Sequence, residues 1–299
     1  MEQRCAYRVV DVFTEQVLEG NALAVFTDAS GIEPATMQRI ARELNLAETT
    51  FVLPATRSDC VARVRIFTPR RELQFAGHPT IGTSFVLRDE GRVPATMSGF
   101  SLEENVGPVA VRVDTGEHPK LWLTTPPIET GRVYDSALVA KVLGLNANDL
   151  LDIEPQLLSA GNPTVFVALR DKEAVDRAWI DLTGMRQLRA ADPVPTCVFV
   201  FTPTPEGAYS RMFAPEFGAE DAATGSSTGP LAAYMMRQGL ISNSTGTRMV
   251  SEQGTKMGRR SLLHVHILGK NGAEGIEVGG YTMPLVTATM NLTPYKGKA

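Results

Sequence analysis

Asp221-Ala-Ala-Thr-Gly-Ser-Ser-Thr-Gly-Pro-Leu-Ala-Ala-Tyr234 sets a carboxylate ahead of small residues and two glycines, then runs into an apolar stretch of helical character. Such a segment reads as a loop feeding a helix N-terminus. Free backbone N–H groups and the helix dipole can hold an anion there. Phe75-Ala-Gly-His-Pro-Thr-Ile-Gly-Thr-Ser-Phe85 has the same character. Laid on one another, the two segments match Gly77 with Gly225, His78 with Ser226 and Thr80 with Thr228. Two anion-ready helix starts, one in each half of the chain, point to two related lobes serving one small acidic molecule. His78 and Asp221 are the titratable residues beside them. Taken singly, each segment reads equally well as a loop that only allows close packing.

The chain has 299 residues, 43% of them hydrophobic and 21% charged, enough for a packed core and two domains of ordinary size. A net charge of −4 and a pI near 5.7 exclude the basic footprint of a nucleic-acid binder. No apolar run reaches the length of a membrane span, and Met1-Glu-Gln-Arg-Cys-Ala6 has no signal-like core. Cys5, Cys60 and Cys197 are irregularly spaced, with no CxxC pair, so a reduced, cytoplasmic protein is expected. His264 and His266 share a strand face without an evident third metal ligand. Gly225–Gly229 lacks the Gly-Lys of a phosphate-binding loop. Arg63, Arg65, Arg70 and Arg71 read as a solvated sheet edge.

Alternating apolar residues predict strands at Val9–Phe13, Ala22–Phe26, Thr49–Leu53 and Val61–Phe67. Met37, Ile40, Ala41 and Leu44 form one apolar face of a helix entered at Pro34. A helix near Ile81–Leu87 follows the first glycine loop. Further strands are expected at Val109–Val113 and Leu121–Leu123. After the linker Thr124-Thr-Pro-Pro-Ile128 the order recurs. A helix near Ser136–Leu143 leads to strands at Asn162–Leu169, Val198–Phe201 and Tyr209–Phe213, then to a helix over Pro230–Arg237. Strands at His264–Ile267, Gly275–Val278 and Leu285–Met290 close the chain. The pattern is an α+β duplication with lobes 1–125 and 126–283, the segment 284–299 returning to the first lobe.

These residues resemble the phenazine-biosynthesis isomerase family, the PhzF-like proteins of the diaminopimelate epimerase fold. The resemblance spans almost the whole chain. It rests on Val10-Asp-Val-Phe13 with Gly20-Asn21, Asn45–Val52, Arg65-Ile-Phe-Thr-Pro69 and Glu72–Pro79. Met212-Phe-Ala-Pro215, Glu220–Ser226 and Gln253–Arg259 complete it. Ala47 and Arg260 depart from the residues common in that family, serine and proline.

The resemblance implies two pseudo-symmetric lobes, each a barrel-like sheet around a central helix, with the active site in the cleft between them. It also implies a homodimer that uses no cofactor; no metal site is expected either, since His264 and His266 lack an evident third ligand. The family's catalytic glutamate falls on Glu48, and its site histidine, aspartate and serine on His78, Asp221 and Ser226. The N–H groups near Gly77 and Gly225 would bind a substrate carboxylate. Epimerases of this fold place a cysteine before each loop glycine, where this chain has Ala76 and Thr224. The implied reaction is therefore a one-base proton shift by Glu48 on a small carboxylate. A dihydro-hydroxyanthranilate-like cyclohexadiene of phenazine-type biosynthesis is the candidate substrate. An amino-acid racemase or epimerase, and a non-catalytic binder of small ligands, are the alternatives.

Overall fold

The computed structural model describes residues 4–215, 219–272 and 275–292. The segment 293–299, expected to return to the first lobe with residues 284–292, lies outside the described residues. The chain divides into two compact units. One holds residues up to 18, 22–121 and from 281 onward; the other holds 19–21 and 122–280.

In the first unit, β1 (Arg4–Val12) lies between β2 (Asn21–Phe26) and the last strand of the chain. The helix α1 (Pro34–Leu44) carries the chain to β3 (Glu48–Leu53), which lies parallel to β2 with Leu23 opposite Glu48. Met37, Ile40 and Ala41 of α1 are buried, and Leu44 packs against the same cluster around Phe26, Phe51 and Phe67. Antiparallel β4 (Ala62–Phe67) and the short β5 (Glu72–Leu73) lead into α2 (Gly77–Asp89), followed by the hairpin β6 (Gly99–Glu104) and β7 (Gly107–Val113).

The helix α2 is buried on nearly every side, so its sequence shows no polar stripe. Gly82 explains how strands come so close. A Cβ there would stand 2.6 Å from Leu23 Cδ2 and 2.8 Å from Val12 Cγ2.

The second unit repeats the plan. It begins with β8 (Leu121–Thr124), β9 (Glu129–Val133), α3 (Ser136–Val142), β10 (Gln156–Ser159) and β11 (Thr164–Ala168). Two helices, α4 (Lys172–Arg177) and α5 (Leu182–Ala191), take the place of α1 and deliver the chain to β12 (Cys197–Thr204), parallel to β11. The sequence reading passed over both. Their Asp171 and Asp181 side chains accept from backbone N–H groups of the first turn, the expected N-cap arrangement. Next come β13 (Gly207–Ala214), β14 (Ala219–Asp221), α6 (Gly225–Arg237), β15 (Arg248–Gln253), β16 (Ser261–Leu268) and β17 (Gly275–Gly280). The last strand, β18 (Thr282–Asn291), pairs antiparallel with β1 in the first unit.

The two halves match in detail. Helices α2 and α6 both span 13 residues. Thr80 Oγ1 donates to Ala76 C=O at 2.7 Å, and Thr228 Oγ1 donates to Thr224 C=O at 2.9 Å. Both helices end in a left-handed glycine, Gly91 and Gly239. The following N–H groups return to Leu87 C=O and Met235 C=O.

Upstream, Arg65 grips Glu72 with two bonds of 2.7 and 2.6 Å, and Arg211 grips Glu220 with two of 2.9 Å. Each guanidinium also lies over a ring, Phe67 or Phe213. The expected solvated arginine edge is corrected at Arg65. Its charge is half-buried and held by a fork-to-fork carboxylate pair that pins a hairpin leading into a central helix.

Candidate active site

Both loop glycines occupy the first helical position, so His78 and Ser226 lie in first turns. The helix expected from Pro230 therefore starts earlier, at Gly225. Pro230 favours a first-turn reading, and Ser226–Gly229 are weak helix formers. Burial of Ser227, Thr228, Gly229 and Leu231 overrides that preference. Neither Gly77 nor Gly225 has the positive φ that would demand glycine.

Within the first unit, β3 opens with Glu48, and α2 carries His78. The structure brings the two together, His78 Nε2 standing 3.2 Å from Glu48 Oε2. The Glu48 side chain keeps 17% of its exposure, against 6% for His78. Burial pushes the His78 imidazolium down to about 3, so the ring is neutral at neutral pH. Directly below the same turn, Glu104 of β6 lies with Oε1 2.5 Å from Thr80 Oγ1. Burial raises its carboxyl to about 8. The Thr80 hydrogen bond opposes that rise as the lesser influence; Glu104 was not singled out from the sequence.

Within the second unit, Asp221 ends β14 and Ser226 sits one turn on. Burial is the largest influence on the Asp221 carboxyl and raises it above the ordinary range. Hydrogen bonds from Thr224, Asn21 and the N–H groups of Ala223 and Ala222 oppose that rise. Asn21 Nδ2 donates to Asp221 Oδ1 at 2.8 Å and to Ala223 C=O at 3.1 Å. Thr224 Oγ1 donates to Asp221 Oδ2 at 2.6 Å. Gln253 opens the Gln253–Arg259 motif, which by itself assigns it no role. It is fully buried against the same loop and bonds the backbone of Asp221 and Thr224. Nothing local in the sequence reveals this, because 32 residues separate Gln253 from Asp221, and 200 separate Asn21.

The register of the repeat shows what is not duplicated. Phe51 faces Arg65 across β3 and β4, as Val200 faces Arg211 across β12 and β13. Three residues earlier, Glu48 therefore corresponds to Cys197, a buried thiol pushed up to about 11 and hence uncharged. Gly20-Asn21 corresponds to Gly161-Asn162. Opposite His78, Asp221 and Thr224 the other half has Ser226, Leu73 and Ala76. The scaffold is doubled, while each titratable candidate occurs once. Both helix N-termini offer N–H groups and a positive dipole end to an anion.

The other motifs go elsewhere. His264 and His266 flank the Trp122 indole edge-on, and His266 Nδ1 stands 3.4 Å from Glu277. All three cysteines are buried and free. No helix among the described residues is long and apolar enough to cross a membrane.

Comparison with known proteins supports the same architecture. A trans-2,3-dihydro-3-hydroxyanthranilate isomerase from Pseudomonas fluorescens is 37% identical over 272 residues, covering 88% of this chain and 91% of the relative. A phenazine biosynthesis protein of the PhzF family from Bacillus anthracis superposes with a TM-score of 0.86 at 22% identity, over 96% of this chain and 99% of that one. A hydroxyproline epimerase from Agrobacterium vitis shares the fold with a TM-score of 0.64 at 14% identity, over 98% and 94% of the two chains. The family model described as phenazine biosynthesis-like protein matches residues 10–288. The chain thus belongs to the phenazine biosynthesis-like (PhzC–PhzF) family and is an isomerase.

Proposed function

We propose that this isomerase moves a proton between two carbons of a small conjugated carboxylate, with Glu48 as the single base. The observation that carries the reading is the asymmetry of the repeat, with one carboxylate at the start of β3 beside a neutral His78 and an uncharged Cys197 at the corresponding place. An inverting racemase needs bases on two faces of one carbon, and Ala76 and Thr224 supply none. A suprafacial shift needs one base able to take a proton from the first carbon and return it to the second. The electron pair delocalises through the substrate meanwhile, and no atom is gained or lost.

In this reading His78 orients the Glu48 carboxylate, while Asp221 and Ser226 bind polar groups of the substrate. N–H groups at Gly77 and Gly225 bind its carboxylate. General acid–base action of this kind contributes roughly 10²–10⁴-fold in rate. The substrate class proposed is a dihydro-hydroxyanthranilate-like cyclohexadiene, supported by the named activity of the Pseudomonas fluorescens relative.

The test is turnover of that compound in deuterated water. The protein should incorporate one solvent deuteron at the product carbon, and Glu48→Gln should lose both incorporation and turnover, the latter by at least about 10²-fold. Full activity in Glu48→Gln removes the one-base reading. Inversion of a free amino acid's chirality would favour the racemase alternative. The enzyme is further proposed to act in the cytoplasm as a homodimer. Light scattering should then give twice the 32.3 kDa of the chain.

A further inference from the structure

We propose that Gln253 and Thr224 are positioning residues that orient a directional hydrogen-bond chain onto Asp221 and hold it as an acceptor-only carboxylate. The inference rests on the reading above only in treating Asp221 as a substrate-facing group.

The direction of the chain is dictated by backbone groups that cannot reverse. The N–H of Thr224 can only donate, so the Gln253 atom 3.2 Å away is its amide oxygen. The C=O of Asp221 can only accept, so the atom 2.8 Å from it is the amide nitrogen. With the amide fixed at both ends, Nε2 also donates to Thr224 Oγ1 at 3.0 Å. The single hydroxyl proton of Thr224 is thereby directed to Asp221 Oδ2, at 2.6 Å. Asn21 is fixed in the same way. The carbonyl of Ala223 accepts from its Nδ2 at 3.1 Å, which assigns the nitrogen that also donates to Asp221 Oδ1 at 2.8 Å.

Both carboxylate oxygens therefore face donors, and neither bond has room for a proton on the acid. Charge-assisted hydrogen bonds of this type are among the stronger ones in proteins. The titratable groups nearby do not supply the charge balance. Cys197 of β12 is an uncharged thiol, and Glu220 of β14 is held by Arg211. Gly254 keeps the turn beneath the chain. Its φ is +75°, and a Cβ would meet Arg259 C=O at 2.3 Å and Ala222 C=O at 2.6 Å. The first unit has Leu73 and Ala76 at the matching positions, so the chain is not part of the duplicated scaffold.

The test reads Asp221 directly in the ligand-free protein, by carboxyl carbon NMR against pH, with Asp221→Asn assigning the signal. Ionised Asp221 at neutral pH is expected; a protonated Asp221 overturns the proposal without any further variant. Thr224→Val removes the hydroxyl and keeps the shape. It should move the Asp221 titration upward by about one to two pH units and move the acidic limb of the kcat/KM profile with it.

Thr224→Ser should restore both. Gln253→Glu, which cannot donate to Thr224, should shift both in the same direction as Thr224→Val. An unchanged titration in Thr224→Val, or in Gln253→Glu should Thr224→Val not fold, overturns the proposal. A shifted titration with an unshifted activity profile leaves the wiring intact but overturns its role in catalysis. Absence of isomerase activity in the parent sinks the proposed reaction and leaves the titration result standing.

Discussion

Glu48 and Cys197 pose the residue-scale question most sharply, because one backbone position in the repeat carries a carboxylate in one half and a neutral thiol in the other. Glu48 begins a strand, with its side chain against His78 and largely sheltered from water. A base must reach the proton it moves, and misplacement by about 1 Å can cost on the order of 10² in rate. Glu48→Asp withdraws the carboxylate by one methylene while keeping its chemistry. It should retain solvent-deuterium exchange and lose turnover, whereas Glu48→Gln should lose both. Equal exchange in the two variants, measured by mass spectrometry of the recovered substrate, would contradict a direct proton-carrying role. Glu48 was legible as a candidate only through the family resemblance, whereas His78 already stood out as a titratable residue beside its glycine loop. A glutamate just past a helix is otherwise an ordinary surface residue, and its contact with His78 spans two separate elements.

The first turn of α2 offers a test of electrostatics at the element scale, since two buried groups there, its own His78 and Glu104 of β6 against Thr80, have opposite linkage to pH. The folded protein holds His78 down to about 3 against an ordinary value of 6.5. In that window the unfolded chain binds the extra proton, so stability falls as pH drops from 6.5 toward 3. For Glu104 the folded value is about 8 against 4.5. Here the folded chain holds the extra proton, so its contribution is complete below 4.5 and is lost as pH rises through 8. The two oppose one another between 4.5 and 6.5, which leaves 6.5–8 to Glu104. Urea midpoints should decline across 6.5–8 in the parent, and Glu104→Gln, a neutral donor of equal size, should flatten that decline. Persistence of the slope in Glu104→Gln would assign it elsewhere.

The hairpin clamps give a second element-scale expectation. The Arg211 and Glu220 side chains retain 6% and 9% of their exposure, against 17% and 26% for Arg65 and Glu72. Arg211 also donates to the carbonyls of Val175, Asp176 and Ala178 at the end of α4. Arg211→Met leaves a buried carboxylate unpaired and should cost about 3–5 kcal/mol. Arg65→Met should cost less, because water reaches its partner. Denaturant unfolding of both variants checks the order.

At the scale of the whole molecule, the chain closes on its own beginning. The pairing of β18 with β1 runs from Arg4 opposite Asn291 to Val12 opposite Thr282, with a bulge between Val9 and Val10. Both strands pack on α2. A chain ending at Gly280 should therefore lose hydrogen-exchange protection throughout α2, because β1 would become an unpaired edge over a helix with no polar face. Retained protection in α2 would show that β18 is dispensable. Local pattern made most of the strands readable, since alternation along one chain segment already states which face is buried. It also made α1 readable from Met37, Ile40 and Ala41.

What the sequence by itself determined is the set of elements whose burial is periodic, the two glycine loops that feed helices, and the motifs that mark the family. Composition carried the exclusion of a polyanion-binding surface. Only the tertiary structure decided that α6 starts at Gly225 and that Arg65 is clamped. It alone joined Gln253 and Asn21 to Asp221, and put Glu104 beneath Thr80. The physical reason is range. Propensity and periodicity act over one or two turns. The charge state of a buried carboxyl depends instead on donors and desolvation supplied by residues far away in the chain.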